Sequence, residues 1–297
     1  MPRQTMSAVR RTFALTVLVV LLGLAASAQK THPEMLVSTQ WLAAHLSDPK
    51  LVIIHAGAAD QYQVAHIPGA RLLTEDKIAA EQEMPRVELL PDDELKANLE
   101  AIGLNDDSRI VIYSPEGAKY AARVFFTLDY LGLGDHAALL DGGIAKWNLE
   151  KRPTSSETPT VTKGSLTIHP RPEVVAKMKD VQQLTSAANS SVVLIDSRNI
   201  ERYRDGHLPG AVSFFWEKNL AGPEAMVLRS PDELRKMYVA LGAAPGKKIV
   251  SYCEVGHQAS YTYFVARYLG YDAAMYDGSW TEWSAAQKPA VRGDNPR

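Results

Sequence analysis

The sequence is written twice. His66-Ile-Pro-Gly-Ala70 returns as His207-Leu-Pro-Gly-Ala211, Ile110-Val-Ile-Tyr-Ser114 returns as Ile249-Val-Ser-Tyr-Cys253, and Asp141-Gly-Gly with Trp147 returns as Asp277-Gly-Ser with Trp283. The spacing between counterparts is close to half the chain and shrinks slightly from the first pair to the last. A long period of this kind describes a duplicated domain with small loop deletions, because solenoid repeats have far shorter periods. Any architecture for this chain must therefore be one that the same pattern can build two times over.

Each copy alternates short apolar runs with amphipathic ones. Leu51 to His55 and Ile110 to Tyr113 read as buried strands, and Pro91 to Ile102 and Lys119 to Leu131 as helices. Val192 to Asp196, Ile249 to Tyr252, Pro231 to Leu241 and Gln258 to Leu269 hold the same places in the second copy. Short apolar strands separated by helices predict an α/β fold in which each domain is a mainly parallel sheet flanked by helices. The segment from Lys151 to Thr160, rich in Pro, Ser and Thr, reads as the connection between the copies. These signals place the first domain at 33–152, a linker at 153–170 and the second domain at 171–292.

The N-terminal segment, 1–28, reads as a cleaved signal peptide, the alternative being an uncleaved amphipathic anchor. Arg3, Arg10 and Arg11 precede an apolar run from Phe13 to Leu24, and Ala26-Ser27-Ala28 supplies small residues for cleavage before Gln29. That run is too short to span a bilayer comfortably. Arg10-Arg11-Thr12-Phe13 resembles part of a twin-arginine signal, which leaves two export routes open. Cleavage would remove three of the 32 basic residues and none of the 34 acidic ones, leaving a charge of −5. No basic cluster then remains for nucleic acid, and no long apolar helix for a membrane. The expectation is an exported, periplasmic protein.

Against that background the one cysteine, Cys253, calls for an explanation. It cannot form an internal disulfide, and it ends an apolar run at the mouth of a helix. Lone cysteines are most often small buried hydrophobes. Here the following Glu254, Gly256, His257 and Gln258 are polar or flexible and do not resemble core packing. Backbone N–H groups converging at a helix start favour a thiolate, so the thiol pKa is expected to fall. Ser114 occupies the same place in the first copy without a neighbouring base, and it reads as an inert relic; a serine hydrolase would need triad spacing that is not recognisable here.

At these residues the chain resembles the tandem-domain rhodaneses, the thiosulfate and 3-mercaptopyruvate sulfurtransferases. The carriers are both His-x-Pro-Gly-Ala segments, Asp196-Ser-Arg198 followed by Tyr203 and Gly206-His207, the loop opened by Cys253, and the two late Asp-Gly-x-x-x-x-Trp elements, over about Leu36 to Pro289. The resemblance implies two rhodanese-like domains, of which the second is catalytic. It also implies a double displacement in which Cys253 takes sulfur from thiosulfate or 3-mercaptopyruvate and passes it to cyanide or a thiol, with no metal or organic cofactor. Candidate substrate-binding residues are Arg198 and the loop Glu254, Val255, Gly256, His257 and Gln258. Arg198 suits either anion recognition or a salt bridge to Asp196 or Glu201. His257 suits either ionisation of the thiol and proton relay, or a solvated position whose backbone N–H alone matters; Gln258 suits an amide donor or a helix start. His66 and His207, present in both copies, read as structural turns. Glu254 departs from the family's loops, and a carboxylate there is expected to disfavour anionic donors unless it points away. Two rival functions remain: a phosphatase, which would need an arginine where Ala259 stands, and a non-catalytic persulfide carrier or redox sensor serving a protein partner.

Overall fold

The computed structural model describes residues 30–81, 87–186, 191–222 and 226–296, so the expected signal peptide, 1–28, lies outside the described residues. The first domain contains β1 (Leu36–Val37), β2 (Leu51–Ala56), β3 (Arg71–Leu73), an antiparallel hairpin of β4 (Ala79–Glu81) and β5 (Val87–Leu89), β6 (Arg109–Tyr113) and β7 (Ala137–Leu140). The second contains β8 (Val175–Ala176), β9 (Val192–Asp196), β10 (Val212–Ser213), β11 (Lys248–Tyr252) and β12 (Asp272–Tyr276). Across the sheets the orders are β1-β7-β6-β2-β3 and β8-β12-β11-β9-β10, which match strand for strand. Every pairing within these two sheets is parallel. Parallel sheets need cover on both faces, and the central strands comply: all six residues of β2 are buried.

The outer face of each sheet closes over its own small core. Ile53, Val111, Tyr62 and Trp147 form one, and Leu194, Val250, Tyr252 and Trp283 the other. The inner faces do not close separately. A single apolar cluster runs from Val52 and Phe125 in the first domain to Val193 and Phe264 in the second. At its centre lie the helices Ala118–Tyr130 and His257–Tyr268, which are equivalent in the two copies. Their middle residues, from Ala121 to Asp129 and from Ala259 to Ala266, are buried without a break, as expected of helices covered on all sides. Phe125 and Phe264, each at the same remove from Ser114 or Cys253, meet edge to face with centroids 5.0 Å apart and planes at 85°.

The connection expected at 153–170 is strapped to the first domain. His66 and Ser155 exchange backbone hydrogen bonds of 2.9 and 2.8 Å, the Trp147 indole donates to the Pro153 carbonyl, and the Leu166 amide donates to Glu100. The C-terminal tail repeats this on the second domain, where His207 pairs with Val291 and Trp283 donates to the Pro289 carbonyl. The repeated histidines and tryptophans are thus anchors for these straps. Each imidazole stacks on a tyrosine, His66 on Tyr62 and His207 on Tyr203, with centroids 3.8 and 3.7 Å apart.

Because the domains share a core, Phe125→Ala is expected to destabilise them together, by about 3–5 kcal/mol. Guanidinium unfolding followed by fluorescence should show the loss, whereas Val64→Ala, at a side chain 80% exposed, should stay within about 0.5 kcal/mol of the parent.

Candidate active site

Cys253 is the first residue beyond β11, and four residues later the chain enters the helix His257–Tyr268. So tight a passage requires Gly256, whose φ of 109° is left-handed. The helix Ser279–Ala285 decides which way the loop's peptide groups face. Its Trp280 and Thr281 amides donate to the Cys253 and Glu254 carbonyls at 3.0 and 3.1 Å, and the Thr281 hydroxyl adds a bond of 2.9 Å to the latter. With those carbonyls engaged, the amides of Val255, Gly256, Gln258 and Ala259 converge on the Cys253 sulfur, and Gly256 N–H lies 3.1 Å from it. Such a nest of N–H groups favours negative charge. The Cys253 amide itself donates to the Ser279 hydroxyl at 3.2 Å.

The resting thiol nevertheless does not behave as the sequence suggests. Cys253 is 1% exposed. Burial pushes its pKa up, and the four amides pulling it down do not make up the difference. The expected fall in pKa is therefore corrected: the nest lowers the penalty of charge on a sulfur that water scarcely reaches, without reversing it.

A cavity of about 280 Å³ opens on Cys253, lined by Glu254, Val255, His257, Gln258, Arg198, Asn199, Arg202 and Lys119. A larger cavity of about 760 Å³ lies at Arg109 and Ala137, the N-terminal ends of β6 and β7 and thus the wrong end of a parallel sheet for ligands. Arg198 is 3% exposed and heavily engaged. It binds Asp196, donates to the Gly206 carbonyl at 2.6 Å, and lies over the Trp280 ring at 4.7 Å. Of the two sequence readings, the Asp196 salt bridge is present, and Glu254 rather than Glu201 is its second carboxylate. Glu254 sits between Arg198 and Arg202, at 3.3 and 3.4 Å, so its charge is drawn away from the sulfur. Arg202, with its side chain 63% exposed, keeps the accessible guanidinium at the cavity. Lys119 and the surroundings of His257 come from the first domain: the imidazole contacts the Glu75 carboxylate and packs on the Tyr120 ring, centroids 4.8 Å apart. Arg202, Lys119, Ser279 and Glu75 escape sequence reasoning because they reach the loop through space, from other elements.

Behind the loop, Arg123 of the first domain forms a buried ion pair with Asp277, whose carboxylate also accepts the Leu89 amide at 3.1 Å. A Cβ on Gly256 would lie 3.2 Å from both the Arg123 guanidinium and the Asp277 carboxylate. In the first copy none of this chemistry is assembled. The Ser114 hydroxyl accepts the Glu116 amide at 3.1 Å and borders a cavity of only about 60 Å³. His55 stands where Asp196 does, each paired in register with its tyrosine, Tyr113 or Tyr252. Burial and the nearby His66 lower the His55 pKa to about 4.

A rhodanese-like domain matches the chain twice, over residues 38–150 and 178–286. The chain belongs to the rhodanese family. It is 32% identical over 288 residues to the sulfur carrier protein TtuD of Thermus thermophilus, covering 89% of this chain and 98% of that one. It is 31% identical over 255 residues to a thiosulfate sulfurtransferase of Pseudomonas aeruginosa, covering 82% and 91%. The crystal structure of YnjE superposes with a TM-score of 0.77 at 26% identity, covering 89% of this chain and 70% of that one. As a rhodanese with these relatives, the protein is a sulfur-transfer enzyme of tandem α/β domains.

Two outcomes follow from the loop geometry. Gly256→Ala should cost about 1–2 kcal/mol in backbone strain and slow sulfur transfer, which unfolding and steady-state assays will separate. Alkylation of Cys253 by iodoacetamide should be slower than that of free cysteine at pH 7 and still rising where free cysteine has levelled off. A plateau below the ordinary thiol pKa would mean that the amides outweigh burial.

Proposed function

We propose that this rhodanese is an exported thiosulfate sulfurtransferase working through a persulfide on Cys253. The observation that carries the proposal is the convergence of four amides on a sulfur at the floor of a cavity bearing Lys119, Arg198 and Arg202. Those cations suit a small dianion, and the amides suit a sulfur that holds charge in both halves of a cycle. In the first half the Cys253 thiolate attacks the outer sulfur of thiosulfate. A new S–S bond forms, the S–S bond of thiosulfate breaks, and sulfite leaves with the electron pair. In the second half cyanide or a small thiol attacks the sulfane sulfur, and the pair returns to Cys253. No external oxidant or reductant enters.

3-Mercaptopyruvate is the second donor to consider, since its carboxylate suits the same cations. Carriage to a protein acceptor is the second reading, favoured by the relative named as a sulfur carrier, which matches over nearly its whole length. Residues 1–28 support delivery to the periplasm, and N-terminal sequencing of the exported form should begin at Gln29.

The purified mature protein is expected to convert thiosulfate and cyanide to thiocyanate. Cys253→Ser should abolish turnover and Ser114→Ala should leave it intact, while Lys119→Ala should raise KM for thiosulfate roughly three- to tenfold. Turnover surviving Cys253→Ser removes the assignment, and a stable persulfide without turnover favours the carrier.

A further inference from the structure

We infer that Glu75 of the first domain and His257 of the active loop form a proton-transfer pair that ionises a thiol acceptor, so that small thiols are the acceptor class this site serves. The inference rests on the sulfur-transfer reading above and concerns its second half.

His257 begins the helix behind the loop and lines the cavity with Cys253. Its Nε2 contacts the carboxylate of Glu75, which lies in the turn Glu75–Lys77 just beyond β3, and its ring is held against Tyr120. Burial acts to raise the Glu75 pKa, but the bond to His257 and the charges of His257 and Arg123 outweigh it, leaving the carboxyl below its usual range and ionised at neutral pH. An ionised carboxylate only accepts, so Nε2 must carry the hydrogen. When the ring is neutral its lone pair therefore falls on Nδ1, which makes no hydrogen bond among the described residues. Other charged or titratable groups around the ring are Lys119 and Tyr120 from the first-domain helix, Arg198 and Arg202 across the cavity, and Cys253 and Glu254 on its own loop.

In the first half of the proposed cycle thiosulfate brings no proton to the site, and the one proton to be moved is that which burial holds on Cys253 itself. A thiol acceptor is different. With a pKa near ~8.5 it is mostly protonated at neutral pH, and only the thiolate attacks. His257 Nδ1 takes the thiol proton as the acceptor sulfur bonds to the sulfane sulfur. The Cys253–sulfur bond breaks, its electron pair returns to Cys253, and the proton passes from the imidazole to solvent. Glu75 acts through His257 and is a positioning residue.

The test loads Cys253 with sulfur from inorganic polysulfide, which keeps it independent of thiosulfate as donor, and then mixes the loaded protein with 2-mercaptoethanol or with sulfite. Sulfite attacks as an anion and needs no base. At pH 7 the ratio of thiol to sulfite rates should fall about tenfold in Glu75→Gln and about a hundredfold in His257→Asn. That deficit should close as the pH is raised past the acceptor thiol's own pKa. An unchanged ratio, or an equal loss toward both acceptors at every pH, overturns the proposal, the latter because it marks a purely structural contact between domains. If polysulfide loads the protein and thiosulfate does not, the donor assignment fails while the acceptor test still reads.

Discussion

The contact between the helices Ala118–Tyr130 and His257–Tyr268 is the constraint on which the rest of this structure depends. Equivalent helices of a duplicated domain meet face to face, with the equivalent residues Phe125 and Phe264 in edge-to-face contact. Polar groups caught between the domains find partners there. Asp129, 1% exposed, accepts the Tyr263 hydroxyl at 2.5 Å and pairs with Arg171 and Arg267. Buried charges are tolerated only when paired in this way, which makes the interface specific as well as apolar. Since the loop that carries Cys253 is the entry to one of these helices, the first domain cannot be a passive appendage. It sets the loop's position through Arg123 and Asp277, and it brings Lys119 to the cavity.

The symmetry of the fold makes clear how the two copies differ around Ser114 and Cys253. Asp277 accepts the Leu89 amide from the other domain, and Asp141 accepts the Leu228 amide at 2.9 Å in the reciprocal contact. The structural half of the Asp-Gly motif is therefore kept in both copies. The chemical half is not. Gly143 replaces Ser279 at a matching left-handed position, with φ of 54° against 53°, so the hydroxyl that receives the loop's first amide is missing. Gly57 replaces Arg198, and His55 replaces Asp196. These differences come together with Ser114 in place of Cys253, all at one end of the sheet.

Much of this was legible in the sequence because it is local. Strand positions follow from apolar runs, and the register of the repeat predicts two sheets of one topology. His66 and His207 read as structural because they persist in the copy without a cysteine, and the straps at Ser155 and Val291 give that reading its physical content. What the sequence hid depends on depth or distance. The pKa direction of Cys253 follows from how completely the loop is covered, which no spacing records. Glu75 and Lys119 lie far along the chain from His257 and Gln258, and only domain docking joins them. Arg202, with its side chain 63% exposed, carries no sequence signal that sets it apart from other exposed helix residues.

Glu254 shows why local reading can mislead about charge. Next to a thiol in sequence, it suggests repulsion of anionic donors. In the fold its carboxylate lies between Arg198 and Arg202, at 3.3 and 3.4 Å, and offsets one positive charge of three at the cavity. Arg198 is largely consumed by Asp196 in any case, so the field at the cavity mouth is set by Arg202 and Lys119 with Glu254 moderating it. For the thiosulfate donor proposed above, a moderate field suits a site that must admit one sulfur anion and then release another, because cations strong enough to bind a dianion tightly would also hold the sulfite left behind. On that proposal the carboxylate is a counterweight that favours release of the product rather than an obstacle to donor binding.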